Sequence, residues 1–109
     1  MNKEREIDFL DVTLRDGSYT IGYQFSLLDN MVISTGLERA GVKYIEIGHG
    51  TGLGAYRIKN NYQAHSDRDY MISASKALKD SEFGFFFIPG IGDSRDIKLL
   101  RDNGGNFIR

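Results

Sequence analysis

Cysteine is absent from the 109-residue sequence, which excludes disulfides, thiolate metal sites and cysteine nucleophiles together. No stretch approaches the roughly 20 apolar residues that a membrane-spanning helix needs, so we expect a soluble protein. Strong charge of one sign is also lacking: 14 basic and 15 acidic residues give a net charge of -1, with no basic run. Because nucleic-acid-binding proteins usually carry a basic patch, small-molecule chemistry is the better expectation.

The first six residues, MNKERE, contain acidic side chains and lack the apolar segment of a secretory signal. Neither a signal peptide nor a transit peptide is predicted, and a cytoplasmic location fits this start and the lack of cysteine. A chain of 109 residues is large enough for one domain with a modest core. It is well short of the about 250 residues of a whole (β/α)₈ barrel.

The first half of the chain predicts a strand, a helix and a second strand. Residues Ile7 to Leu14 (IDFLDVTL) form an apolar, β-branched run of strand length before the turn-forming sequence DGS. A helix should follow, because Ser26 is a good N-cap, Asp29 stands three residues later and Gly41 follows the end. Its apolar face is expected to consist of Leu27, Leu28, Met31, Val32 and Leu37. The sequence VKYIEI then predicts the second strand.

The second half repeats this alternation after a long connection, residues 48–64, whose length suggests a function. Ser66 and Asp69 predict the start of a second helix. Its inward stripe should comprise Tyr70, Ala74, Ala77 and Leu78. Residues 83–88 predict a third strand, ended by the pair PG. A third helix, capped by Asp93 or Ser94, should run to residue 101 before Gly104, and NFIR should begin a fourth strand.

The order βαβαβαβ predicts an α/β fold with parallel strands, because parallel neighbours need a covering connection. A doubly wound sheet and a β/α barrel share this order. They differ in that an open sheet concentrates its chemistry at one switch point, whereas a barrel uses all the loops after its strands. Polar, glycine-rich sequences follow strands one, two and three alike. We therefore predict the N-terminal portion of a TIM (β/α)₈ barrel, with residues 1–109 as part of a catalytic domain and the remainder of the barrel absent.

Two charged residues, Arg15 and Asp16, lie where strand one is expected to meet its loop. A carboxylate there can be an oxygen ligand for Mg²⁺ or Mn²⁺, and a neighbouring guanidinium can stabilise a carboxylate or a developing enolate. The spacing alone favours an exposed Asp-Gly turn beside a solvated arginine, since Asp and Gly are common turn residues.

Four motifs carry a resemblance to a known family. DVTLRDG resembles the opening motif of the superfamily that includes isopropylmalate synthase, homocitrate synthase and hydroxymethylglutaryl-CoA lyase. Within it, IEIGHGTGLGA, AHSD and IPGIGD resemble the 4-hydroxy-2-oxovalerate aldolases. These motifs stand in the family's order and cover nearly the whole chain.

The resemblance implies a role for each residue of the first motif. It assigns the pyruvate enolate to Arg15 and a divalent metal, Mn²⁺ or Mg²⁺, to Asp16. The products would be pyruvate and an aldehyde, with an acylating aldehyde dehydrogenase as a possible partner and an oligomer as a possible assembly. The family's usual acid/base histidine is replaced here by Tyr19. A phenol can donate or relay a proton but is a poor base at neutral pH, so Tyr19 either replaces that histidine or only packs under the loop.

Other readings of the sequence remain open. Acyl-CoA condensation shares the TLRDG motif, and the glycines of GTGLGA loosely resemble a dinucleotide-binding loop but follow the second strand and open no convincing helix. A Schiff-base aldolase is disfavoured because no lysine stands at a strand's carboxyl end. His49 and His65 are too isolated for a metal motif, and neither they nor Glu46 receive a role. The segment alone could also be a non-catalytic fragment or interaction module.

Overall fold

Strands and helices alternate along residues 7–109, the part of the chain that the computed structural model describes. The strands are β1 (Leu10–Asp11), β2 (Tyr44–Ile47), β3 (Glu82–Phe85) and β4 (Phe107–Ile108). The helices are the single turn α1 (Thr13–Asp16), α2 (Leu27–Arg39), α3 (Asp67–Ala77) and α4 (Ser94–Asp102). There are also two 3₁₀ turns: Gly17–Ile21 follows α1, and Ala55–Arg57 lies in the connection between β2 and α3. Within this range no helix is long and apolar enough to cross a membrane.

The four strands form one open sheet in which every neighbouring pair is parallel and the spatial order is β1-β2-β3-β4. Spatial order therefore equals chain order, as it does around a barrel. A doubly wound sheet would reverse direction at a switch point.

All three long helices cover the same face of this sheet. Ile45 and Ile47 of β2 and Phe83 and Phe85 of β3 point into one buried cluster with residues of α3 and α4. The core residues on those two helices are Tyr70, Met71, Ala74 and Leu100, and α2 adds Leu27, Ile33 and Leu37. Helices on one face only, with the other face left for a barrel interior, are typical of a β/α barrel rather than a doubly wound sheet. The structure thus confirms the predicted α/β fold as the N-terminal part of a TIM barrel.

The predicted helix boundaries are confirmed because they depend on local hydrogen bonds. Ser26 accepts a hydrogen bond from the amide of Asp29, whose carboxylate accepts in return from the amide of Ser26. At the start of α3 the hydroxyl of Ser66 accepts a hydrogen bond from the amide of Asp69, and Asp93, rather than Ser94, caps α4. Gly41 follows α2 with φ 92°, a left-handed conformation that glycine adopts without strain.

The predicted first strand, Ile7 to Leu14, is wrong in extent. Strand β1 is two residues long, and Thr13–Asp16 form a helical turn. The cause is the side chain of Asp11, which accepts hydrogen bonds from the amide of Thr13 at 2.9 Å and from its hydroxyl at 3.1 Å. Such a local hydrogen bond satisfies an amide that a continuing strand would have paired, so the chain turns away from the sheet.

The predicted inward face of α2 is also partly wrong. Leu28 and Val32 are 69% and 61% exposed. The side of α2 that faces the core consists instead of Leu27, Asn30, Ile33, Ser34 and Leu37. Asn30 is buried because its amide donates to the carbonyl of Tyr70 and to the hydroxyl of Ser73 on α3. A hydrogen bond of this kind offsets the cost of burying a polar side chain.

Candidate active site at the carboxyl edge of the sheet

Side chains from two strand ends and from the turn after β1 meet at the carboxyl edge of the sheet. Glu46, near the end of β2, lies at their centre with a fully buried carboxylate. Its Oε1 accepts from Nε of Arg15 at 2.7 Å, and its two oxygens accept from Nε and Nη2 of Arg109 at 2.8 and 2.9 Å. Burial of a carboxylate is tolerated when opposite charges and hydrogen bonds surround it, as they do here.

Both guanidinium groups lie over the ring of Phe86, which follows β3. The distance from the guanidinium carbon to the ring centroid is 4.8 Å for Arg15 and 5.2 Å for Arg109. A cation over an aromatic face is held by the ring quadrupole. The hydrogen bonds to Glu46 also raise the pKa of Arg109 above its usual range. All four strand ends therefore contribute to one charged cluster, defined by Arg15, Glu46, Phe86 and Arg109, which we call the arginine cluster.

Asp16 stands beside this cluster and faces solvent. Its side chain is 66% exposed, and its Oδ1 lies 3.5 Å from Nη1 of Arg15. Arg15 itself is 12% exposed, and its Nη1 also lies 3.5 Å from the carbonyl oxygen of Gly50. Contacts of this length are weak hydrogen bonds, so Nε anchors Arg15 while Nη1 is held loosely.

Tyr19 lies on the 3₁₀ turn after α1 and packs against the glycine-rich loop, residues 48–54, that follows β2. Its ring rests on Gly50, where an added Cβ would come within 2.4 Å of the ring. Its hydroxyl is 3.4 Å from the hydroxyl of Thr51, and the residue is 49% exposed. The phenol is therefore fixed against the loop and still open to solvent, so the arrangement is compatible with packing and with proton transfer.

His49 is buried in the same loop and is held in its neutral form. Its Nδ1 accepts a hydrogen bond from the amide of Thr51 at 2.9 Å, and its ring stacks on Tyr23 at 3.6 Å between centroids. Burial lowers the pKa of His49 to about 4. Tyr23 keeps this stack with φ 64°, a left-handed conformation that costs a tyrosine on the order of 1–3 kcal/mol. His49 thus supports the loop through Nδ1 and through its ring.

The glycines of the loop are explained by close packing. A Cβ on Gly52, which has φ +100°, would come within 2.4 Å of the carbonyl oxygen of Phe86. The loop amides are also engaged: Gly52 donates to His49, Leu53 donates to Phe86, and Gly54 donates to the buried carboxylate of Asp67. A dinucleotide-binding loop must offer such amides to a pyrophosphate and lead into a helix. The amides of this loop donate to groups within the protein, so the structure gives no support to a dinucleotide-binding loop.

Comparison with known proteins adds to this geometry. The family model described as HMGL-like matches residues 6–98. The chain belongs to the HMGL-like family. Most of the residues that form the arginine cluster and all of the glycine-rich loop lie inside the matched range.

Individual relatives of this HMGL-like chain are 4-hydroxy-2-oxovalerate aldolases. The enzyme of that name from Alkalilimnicola ehrlichii is 36% identical over 109 residues, which are 100% of this chain and 32% of the relative. Those from Carboxydothermus hydrogenoformans and Moorella thermoacetica are 35% and 37% identical over 105 residues, covering 96% of this chain and 31% of each relative. The chain spans about a third of the length of the curated relatives it matches.

Two carboxylates of the site, those of Asp16 and Glu46, differ in whether they are available to a divalent metal. Asp16 offers an exposed carboxylate at the carboxyl edge, which suits a hard cation. Among residues 7–109 no three histidine, aspartate or glutamate side chains come together as a complete metal site. Asp16 therefore fits as one ligand of a shared site, and Glu46 does not, because both of its oxygens are occupied by arginines.

The sequence singled out some of these residues and missed others. Arg15, Asp16 and Tyr19 lie in the consecutive turns that follow β1, and their chemical roles stay predictions. Glu46 and Arg109 received no role, because their partners are 31 and 63 residues apart along the chain. A buried-strand pattern interrupted by one glutamate was the available signal for Glu46. His65 packs edge-on against Tyr70 at 5.9 Å, which is a structural contact.

Proposed function

We propose that the chain is the N-terminal part of a divalent-metal-dependent aldolase that cleaves a 4-hydroxy-2-oxo acid to pyruvate and an aldehyde, or joins them in reverse. The observation that carries the proposal is the anchoring of Arg15 at the carboxyl edge by the buried Glu46, directly beside the exposed Asp16. The relatives named 4-hydroxy-2-oxovalerate aldolase support the choice of reaction.

Arg15 is suited to stabilise an enolate. Its Nε is used by Glu46, whereas no group within residues 7–109 accepts a hydrogen bond from its Nη2. A fixed guanidinium with a donor to spare forms charge-assisted hydrogen bonds with the negative charge that develops on a pyruvate enolate. Because Glu46 and Phe86 hold the group in place beforehand, little reorganisation is needed when that charge appears.

Asp16 would contribute one oxygen ligand to the cation. A bound Mn²⁺ or Mg²⁺ supplies Lewis-acid polarisation of a keto oxygen. The weak contact between Asp16 and Arg15 leaves the carboxylate open for this role. Tyr19 is proposed to donate or relay the proton at the substrate hydroxyl, with Thr51 orienting the phenol.

The wider setting of the reaction rests on resemblance and composition. We propose that residues 1–109 belong to a larger barrel domain, that the protein works in the cytoplasm, and that an acylating aldehyde dehydrogenase consumes the aldehyde. We also propose, from the resemblance alone, that the protein forms an oligomer.

The test is pyruvate release from a 4-hydroxy-2-oxo acid by the protein encoded by the natural gene, followed with a coupled dehydrogenase. We expect release to stop with a chelator, to return with Mn²⁺, and to fall at least about 100-fold in Asp16→Asn. The matched control is Asp102→Asn, since Asp102 is also half-exposed and 3.5 Å from a neighbouring arginine, but lies at the end of α4 that leads to the opposite edge.

The assay also distinguishes an aldolase from an acyl-CoA condensing enzyme. Equal pyruvate release by the two aspartate variants would contradict the metal role of Asp16. Release of free thiol from acetyl-CoA in the presence of a 2-oxo acid, without pyruvate release, would show an acyl-CoA condensing enzyme instead.

A further inference from the structure

The second arginine of the cluster has no role in the proposed reaction, although it makes more hydrogen bonds to Glu46 than Arg15 does. Arg109 follows β4, 94 positions after Arg15 in the sequence and two strands away from β2 in the sheet. Its guanidinium reaches back across the end of β3 to both oxygens of Glu46. The Arg109 side chain is 47% exposed, so burial of apolar surface does not account for this extended conformation.

Arg15 and Arg109 share the carboxylate of Glu46. Arg15 gives this carboxylate a single hydrogen bond, from Nε to Oε1. Within the described chain the only donor to Oε2 is Nε of Arg109. Without Arg109, a fully buried carboxylate would have one oxygen unpaired, which is costly in a low-dielectric setting. The carboxylate would then turn, or Arg15 would move to bring a second nitrogen to it.

Either movement would change the position of the Arg15 guanidinium, which is the group proposed to meet the substrate. Nη1 of Arg15 makes only two contacts, both of 3.5 Å, so within residues 7–109 the direction of the guanidinium is fixed by the Nε bond to Glu46 and by the ring of Phe86. Arg109 lies over the same ring and so also limits the space into which Arg15 can swing. A misplacement of about 1 Å in a stabilising group can cost about 100-fold in rate.

We propose that Arg109 is a positioning residue, which acts through Glu46 to hold the guanidinium of Arg15 in the direction that meets the enolate. This inference rests on the proposed function, since that function is what gives Arg15 its role at the enolate. Arg109 need not touch the substrate for it to hold.

The kinetic test uses the protein encoded by the natural gene and the variants Arg109→Ala and Arg109→Lys. We expect kcat for pyruvate release to fall about 10- to 100-fold in Arg109→Ala with KM changed less than about 3-fold, because Arg15 acts on the transition state. Arg109→Lys should recover part of the loss, since lysine keeps the charge but reaches only one oxygen. Added guanidinium ion at millimolar concentration should partly restore Arg109→Ala.

The matched control is Arg57→Ala, which removes a two-pronged ion pair between an arginine and the nearly buried Asp96; within residues 7–109 this pair makes no hydrogen bond to the arginine cluster. It should lower the melting temperature without changing kcat more than about 2-fold. A double-mutant cycle then separates positioning from general loosening. Arg109→Ala should cost less than about 2-fold when Arg15 is already lysine, whereas a merely structural effect would cost the same in both backgrounds.

A readout that needs no turnover keeps this inference separate from the aldolase proposal. The side-chain Nε–Hε signal of Arg15 should exchange slowly with water in the wild type and in Arg57→Ala, and at least about tenfold faster in Arg109→Ala. Unchanged exchange together with unchanged kcat would overturn the role of Arg109 while leaving the aldolase intact. Faster exchange in a protein that releases no pyruvate would confirm the positioning and overturn the proposed reaction.

Discussion

Lowering the pH should destabilise this fold through His49. Its imidazole is 1% exposed, stacked on Tyr23, and its pKa is lowered by burial from 6.5 to about 4. Above pH 6.5 the ring is neutral in the folded and the unfolded chain, so it adds no pH dependence. As the pH falls through 6.5 the unfolded chain binds a proton that the folded chain does not accept until about pH 4, so stability falls over that window.

The size of the effect follows from the two pKa values. Each tenfold difference in proton affinity corresponds to about 1.4 kcal/mol. The free energy of unfolding should therefore drop by about 2 kcal/mol between pH 7 and pH 5, and by about 3 kcal/mol once the pH is below 4. That is a large share of the about 5–15 kcal/mol by which domains are stable.

The assay is urea unfolding at pH 7, 6 and 5, with the wild type compared with His49→Phe. Phenylalanine keeps a ring to stack on Tyr23 and cannot titrate, although the amide of Thr51 loses its acceptor and the variant starts about 1 kcal/mol less stable. His65→Phe is the control, because His65 is only partly buried and packs edge-on against Tyr70. The same pH slope in wild type and His49→Phe would refute the reasoning.

Three further predictions concern single residues. Gly52→Ala should lower the free energy of unfolding by about 2–4 kcal/mol in urea titration, because φ is +100° and the new Cβ would meet the Phe86 carbonyl; a loss under about 0.5 kcal/mol would contradict the packing. Ser26→Ala should cost about 1 kcal/mol in thermal unfolding by removing the α2 capping box, whereas Ser26→Asp should cost far less. Tyr19→Phe should lower kcat for pyruvate release about 100-fold with little change in melting temperature; full activity would show that Tyr19 only packs.

Features that depend on neighbouring residues could be predicted from the sequence. The caps of α2 and α3 were predicted because their donors and acceptors lie three residues apart. The parallel sheet followed from the alternation of strands and helices. The extent of β1 could not be predicted from apolar character alone, because the carboxylate of Asp11 competes for the amide of Thr13 and starts a helical turn inside an apolar run.

Features that depend on distant partners could not be predicted. Asn30 is polar and is absent from the predicted apolar face of α2, and its hydrogen bonds to Tyr70 and Ser73 on α3 explain why the helix turns that side inward. The candidate site shows the same division. Arg15 and Asp16 were found through the turn they share, whereas Glu46 and Arg109 gained meaning only when folding brought the ends of four strands together.

The most direct measurement of the central claim is pyruvate release from 4-hydroxy-2-oxopentanoate by wild type and Arg15→Ala. Because Arg109 still pairs with Glu46 in this variant, we expect a loss of stability of only about 1–3 kcal/mol, checked by its melting curve. The account predicts rapid release by the wild type and a loss of at least about 1,000-fold in a folded Arg15→Ala protein. Undiminished release by the variant would contradict it.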